Sequence, residues 1–290
     1  MYGLIKNQYF IAPFLLFLTL LCGFIIYNPV TFKALSPFQY HSTRNAEASQ
    51  KDELGLALAE ASTENKAVII AVVNKAYVEG DDRSMLDLFL DSFWHGENTR
   101  GLVDNLLLVN ADQASYERCR FLRLHCYRLE TDGVKFDKEE VYMSDEFIKM
   151  MWSRTLFLGK YSSVAMTSFL RSNKNTVRLF DLWYARKDKS AGQKEQDVLN
   201  GMLHGDVFTK LGLRVGFLDT LLFSGFCQDS KDIRAVTTVH ANCCRTIRAK
   251  ITDLSAVIDE WKRFKRSAIN ETSSTFRNLK HEACAHSWGK

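Results

Sequence analysis

The sequence predicts an α/β protein: a mostly parallel sheet flanked by helices, tethered by an N-terminal transmembrane helix. Three observations predict it. Two continuous apolar runs of strand length, AVIIAVV (residues 67–73) and NLLLVN (105–110), are separated by a segment of helical periodicity and followed by another. Such unbroken apolar runs mark strands covered on both faces, and strand–helix alternation implies parallel pairing. No charged residue occurs from Asn7 to Phe32, and IAPFLLFLTLLCGFIIY (11–27) forms a long apolar core there.

That core has about the length needed to cross the hydrocarbon layer as a helix, ~20 residues. Pro13 falls in its first turn, where a missing N–H costs little. The apolar region of a cleaved signal peptide runs to only ~7–15 residues and ends in a small-x-small site, which is lacking here. The segment therefore reads as an uncleaved signal anchor, with residues 1–10 as a cytosolic tail and the large C-terminal part in a lumen. Residues 28–50 are polar and irregular and suit a stem. Residues 51–265 form the folded domain, and 266–290 read as a loose, charged C-terminal tail. With 46% hydrophobic and 25% charged residues, the chain can bury a substantial core, which excludes global disorder. A net charge of +4, spread without a long basic block, argues against nucleic acid as a partner.

Within the domain, KDELGLALAEASTEN (51–65) has helical spacing, with Leu54, Leu58 and Ala61 on one face. The first strand follows, then a helix over 84–94 with Ser84 as N-cap. After the second strand, SYERCRFLRL (115–124) is helical. The next helix opens at Ser144 with Asp145 and Glu146 in its first turn and stops at Gly159. Its apolar residues Phe147, Ile148, Met151, Trp152 and Leu158 cover a broad face that belongs to the core. VAMTSFL (164–170) reads as a strand, 176–184 and 195–203 as helices, LRVGFLD (213–219) as a strand and 256–264 as a last helix. In open parallel sheets ligands bind beyond the carboxyl ends of the strands. Here those ends are Asn74-Lys75 and Ala111-Asp112-Gln113.

Cys22 lies in the anchor, leaving Cys119, Cys126, Cys227, Cys243, Cys244 and Cys284 beyond it. An even number in a lumenal domain suggests disulfides. One helix through both Cys119 and Cys126 would hold their Cα atoms ~10 Å apart, too far for a bridge. They can pair only if that helix ends near His125. Asn270-Glu271-Thr272 is the only glycosylation sequon.

The motifs AVIIAVVNKAY, NLLLVNADQASYERCRFLRLHCYRLETDG, SDEFIKMMWSRTLFLGK, QDVLN, FLDTLLFSGFCQ and TVHANCC occur in this order. Together they resemble the plant nucleotide-diphospho-sugar transferase family, Golgi type II membrane proteins that glycosylate cell-wall glycans and glycoproteins. The resemblance covers about 51–264. It implies the Rossmann-type GT-A fold, a nucleotide-sugar donor, a glycan or glycoprotein acceptor and a divalent metal, usually manganese. Transfer leaves a diphosphate with extra negative charge, which a cation neutralises as Lewis acid and template. GT-A enzymes hold that cation with an Asp-x-Asp pair on a strand, plus a late histidine.

In this family the pair follows the FLGK helix. Here Lys160 leads directly into YSSVAMTSFLRSNKNTVRLFDLWY, which resembles the region after the metal motif, and no Asp-x-Asp occurs anywhere. The resemblance thus implies a domain shortened between 160 and 161. The acid pairs Asp81-Asp82 and Glu139-Glu140 are adjacent and read as solvated loops. By the family match, Gln196 and Asp197 are the catalytic candidates, placed to stabilise developing oxocarbenium charge. Asn74, Lys75 and Asp112 are nucleotide-binding candidates, and His240 is the metal candidate. On spacing alone, Asp197 is a solvated helix-start residue, Asn74 a turn residue and His240 a structural histidine. Two readings stand: a Golgi glycosyltransferase, or an inactive lumenal protein that binds and partners other transferases.

Overall fold

The computed structural model describes residues 46–130, 134, 136–161, 173–190, 192–270, 276 and 279–289. The anchor (11–27), most of the stem and the strand expected at 164–170 lie outside the described residues. Among the described residues no helix is long and apolar enough to cross a membrane. The body, Lys51–Lys290, is a compact unit.

Helix α1 (Ala46–Ala61) leads into β1 (Ile69–Val73), a short α2 (Lys75–Val78) and α3 (Met85–His95). Next come β2 (Leu106–Asn110), α4 (Gln113–Phe121) and β3 (His125–Arg128). The order is β1-β2-β3, all parallel, with Val73 opposite Asn110 and Leu108 opposite Cys126. The strand–helix reading of the first half therefore holds.

Because side chains alternate across a strand, β2 serves two cores at once. Leu107 and Val109 join Leu54, Ala57 and Ala61 of α1 on one face. Leu106 and Leu108 join Val78, Leu86 and Cys119 on the other. All five β2 residues are buried, and each fully buried leucine contributes about 1.5–3 kcal/mol. The sequence expects β1 to be equally covered, but Ile69 to Val72 are only half-buried. The reason is position: among the described residues β1 pairs with β2 alone, so it is an edge.

The second half is mostly helical. It comprises α5 (Asp145–Tyr161), α6 (Lys174–Tyr184), α7 (Glu195–His204) and α8 (Val207–Lys210). Helix α5 runs two residues past Gly159, the expected stop. Its Trp152 and Phe157 pack with Leu179, Phe180 and Trp183 of α6 and with Val198 and Met202 of α7. A small parallel pair, β4 (Phe223–Gly225) and β5 (Thr238–His240), precedes α9 (Ile247–Asn270) and α10 (Glu282–His286). Helix α9 is far longer than the 256–264 segment expected. The 213–219 run, expected as a strand, is neither strand nor helix.

The tail read as loose is docked. Cys284 is buried and bridged to Cys244, and its N–H donates to the Asp253 carboxylate at 2.8 Å. The other bridges are Cys119–Cys126, with Cα atoms 6.0 Å apart, and Cys227–Cys243. Helix α4 stops at Phe121, which meets the geometric condition for the first of these.

Helix α3 shows how local chemistry fixes an element. The Ser84 hydroxyl accepts from the Asp87 N–H at 3.0 Å, and the Asp87 carboxylate accepts from the Ser84 N–H, a reciprocal capping box. Arg118 adds an ion pair to Asp87 at 2.8 Å. Burial alone would raise the Asp87 pKa, but the bonds from Arg118 and Ser84 outweigh it, and the pKa lies below 3.8. Asp91 is held down in the same way: Arg83 and Lys262 together outweigh its partial burial. A depressed carboxylate stabilises fully above its unfolded pKa and loses that contribution as pH falls through the folded value. We expect Ser84→Ala to cost about 1 kcal/mol in urea unfolding. We also expect Asp87→Asn to flatten the loss of stability below pH 4, read from unfolding midpoints across an acid series.

Candidate functional site

The three nucleotide-binding candidates sit at the carboxyl edge of the three-stranded sheet. Asn74 follows β1 and is 4% exposed. Its Nδ2 donates to the Lys138 carbonyl at 3.4 Å, while its Oδ1 has no partner among the described residues. Lys75 donates its backbone N–H to Asp112 Oδ2 at 2.5 Å, and its ammonium lies 3.7 Å from Glu79. The other oxygen of Asp112 accepts from the Ser115 N–H at 2.8 Å and caps α4. Asp112 therefore ties the exit of β1 to the start of α4 and uses both oxygens on backbone amides.

Asn110, at the end of β2, adds a residue the sequence reading passed over. It is fully buried, donates to the carbonyls of Leu108 and Tyr127, and leaves its Oδ1 without a partner among the described residues. A buried amide oxygen without a donor costs about 1–3 kcal/mol, and both of these oxygens are shielded from solvent. An Asn closing an apolar run was the available signal.

The loop after β3 joins this edge to the rest of the candidates. Lys138 meets Asn74, and Glu139 Oε1 accepts from the Ile247 N–H at 2.5 Å, capping α9. Glu140 is half-buried beside Lys138 at 3.6 Å. Glu139 is exposed in its loop, as read, and also caps a helix N-terminus, whereas the Glu140 side chain is only 9% exposed. Asp81 and Asp82 are exposed, as read. Tyr142 accepts from Lys194 at 3.2 Å and places its ring 5.4 Å from both Lys194 and Arg245. Tyr142 thus joins the start of α7 to the approach to α9, a long-range contact no local pattern signals.

At the start of α7, Glu195 is buried and paired to Arg154 at 2.9 Å. Trp183 Nε1 donates to the Glu195 carbonyl at 2.7 Å, and Trp152 Nε1 to that of Gln193 at 3.2 Å. These anchors hold the turn so that Gln196 and Asp197 are exposed on its outer side. Asp197 lies 4.0 Å from Lys194. Burial lowers the Lys194 pKa, but the Tyr142 hydroxyl and the Asp197 and Glu195 charges more than compensate and raise it.

His240 ends β5, and its carbonyl accepts from the N–H groups of Phe226 and Asn242. His240 is exposed at the end of the strand, and partial loss of hydration around the ring, and then the Lys250 charge, shift its pKa down and favour the neutral imidazole. Neutral imidazole is a metal-ligand form, but the company is wrong for a divalent cation. Lys250 is a like charge to any cation there. Among the described residues no three His, Cys, Asp or Glu side chains converge, and the six cysteines beyond the N-terminal segment are all in disulfides. Hard cations require several oxygen ligands, so these residues do not fit the expected manganese.

Comparison with known proteins gives these positions a context. A family model described as nucleotide-diphospho-sugar transferase matches residues 101–163 and 165–254. The uncharacterized protein At1g28695 of Arabidopsis thaliana is 43% identical over 304 positions, covering 88% of the chain and 91% of that protein. Since 88% of 290 residues is about 255, roughly 49 aligned positions of that relative have no counterpart here. The uncharacterized protein At4g15970 of the same plant is 31% identical, covering 85% of the chain and 77% of its own length. No solved structure matches. The matched family model begins after β1, so Asn74 and Lys75 precede it, but it covers Asp112, Gln196, Asp197, His240 and Lys250, and the chain belongs to the nucleotide-diphospho-sugar transferase family.

Proposed function

We propose that this chain is a lumenal Golgi protein of the glycosyltransferase class that takes up a nucleotide sugar without manganese-dependent transfer and works as a partner of active transferases. One observation carries this reading: among the described residues no three His, Cys, Asp or Glu side chains converge, at His240 or elsewhere, in a chain without an Asp-x-Asp pair. The break in the family match at residue 164 and the unmatched positions of At1g28695 support a domain shortened near 160/161. In this reading residues 1–10 are cytosolic, 11–27 anchor the chain, 28–50 form the stem, 51–265 the transferase domain and 266–290 its C-terminal segment. Three disulfides suit an oxidising lumen. Asn74, Lys75 and Asp112, at the sheet edge, take the nucleotide.

A second reading, transfer of the sugar to a cell-wall glycan or a glycoprotein, draws on a separate feature. Gln196 and Asp197 stand exposed on a turn braced by two tryptophans and an ion pair, as residues that touch a reacting sugar must. The full chain, purified in detergent and given a panel of nucleotide sugars, separates the readings. The expected result is no hydrolysis or transfer that rises with manganese, together with nucleotide binding equal in manganese and in chelator. Manganese-dependent turnover that disappears in Asp197→Ala would replace the first reading with the second.

A further inference from the structure

The run Arg214-Val215-Gly216-Phe217-Leu218-Asp219 is held at both ends and unsatisfied in between. At its start Gly212, at φ +62°, ends α8, and Leu213 donates its N–H to the Phe208 carbonyl and packs on the main core. At its end the Asp219 carbonyl accepts from the N–H groups of Leu222 and Phe223, and Asp219 Oδ1 accepts from that of Leu221. Between these pins, residues 214–218 make no hydrogen bond with any described residue. No residue from 213 to 219 has a positive φ. All of 214–222 are exposed, and Phe217 is 86% exposed, with Val215, Leu218, Leu221 and Leu222 beside it. Unpaired backbone lined with apolar side chains and free of proline is a template for another strand.

The composition of the run says which strand fits. Read against itself in reverse, Arg214 falls opposite Asp219, Val215 opposite Leu218, and Gly216 opposite Phe217. Opposite charges, an apolar pair and an aromatic over a glycine each stabilise an antiparallel ladder. A Cβ on Gly216 would meet nothing within 4 Å, so its face is open to a partner ring. The Asp219 turn uses Oδ1, which accepts from the Leu221 N–H, and not Oδ2. We propose that two copies of this chain pair through residues 214–219, antiparallel about a two-fold axis, so that each of the three pairings occurs twice. An isologous interface requires such self-complementarity, and the charge signs here supply it.

The test uses the full chain in detergent, with association followed by sedimentation velocity across a concentration series. The wild type is expected to dimerise, and Phe217→Asp is expected to weaken the dimer at least ~10-fold by placing a charge at its centre. Arg214→Asp and Asp219→Arg, each self-repelling, are expected to be monomeric alone and to pair with each other when mixed. Should Asp219→Arg unfold the local turn, crosslinking provides the second measurement. Val215→Cys chains mixed with Leu218→Cys chains should form an intermolecular disulfide, and neither should do so alone, since like positions lie ~10 Å apart. A wild type that stays monomeric would overturn the proposal, and so would a dimer unchanged by Phe217→Asp. Absence of the mixed crosslink would overturn it too.

Discussion

Arg154→Met is expected to destabilise the body by about 3–5 kcal/mol, because it leaves the Glu195 carboxylate buried and unpaired. Glu195 is 3% exposed, and its Oε1 rests on Arg154 at 2.9 Å. Its Oε2 and the Arg154 Nε have no hydrogen-bond partner among the described residues. The pair is therefore incompletely satisfied, which makes it costly to break but not costly to replace. Arg154→Met combined with Glu195→Leu should recover most of the loss, since burying neither charge avoids desolvation. Urea unfolding of the two single variants and the double gives the coupling directly. If Arg154→Met unfolds within 1 kcal/mol of wild type, the pair does not brace α7. The consequence for the site is local. Gln196 and Asp197 follow Glu195 immediately, so a loosened first turn should reduce any sugar contact they make before the whole body unfolds.

The parts legible in the sequence are those where one local rule decides. The apolar run at 106–110 could only be a covered strand, and Ser84 with Asp87 three residues on is a capping signal readable from the letters. Cys119 and Cys126 were conditionally legible, because helix geometry permits the bridge only if the helix ends between them. What was not legible depends on distant partners. The half-burial of β1 reflects which strands lie beside it, and nothing within Ile69–Val73 records that it is an edge. The 213–219 run alternates like a strand but has no neighbour to pair with among the described residues, and pattern alone does not supply one. Glu139 is exposed as read, but its capping role was not legible because its partner, the Ile247 N–H, is more than a hundred residues away. The same holds at the candidate site. His240 is a candidate from its motif alone, whereas Lys250, whose charge acts on it, sits a turn into α9 and no motif marks it.

The C-terminal segment tests that last kind of contact. Cys244→Ala with Cys284→Ala is expected to cost about 2–4 kcal/mol, the usual effect of opening a bridge that closes a loop of this size. Deleting residues 281–290 should cost more. The Asp253 carboxylate is buried and accepts from the N–H groups of Ala283 and Cys284, so deletion strands it as well as removing the bridge. That adds about 1–3 kcal/mol. Deletion also strips Ser287 from the Arg245 N–H, and Trp288 from both the Cys243 carbonyl and the Arg245 guanidinium. Those contacts fall on residues 243–245, just after His240 and just before α9, so the damage should concentrate at that end of the body. Asp253→Asn in the deleted chain should recover part of the extra loss, because a neutral amide is less costly to bury alone. Unfolding midpoints for the double alanine variant, the deletion and the deletion with Asp253→Asn should therefore fall in the order highest, lowest, intermediate. A deletion no less stable than the double alanine variant would mean that the bridge alone holds the segment and that Asp253 contributes nothing there.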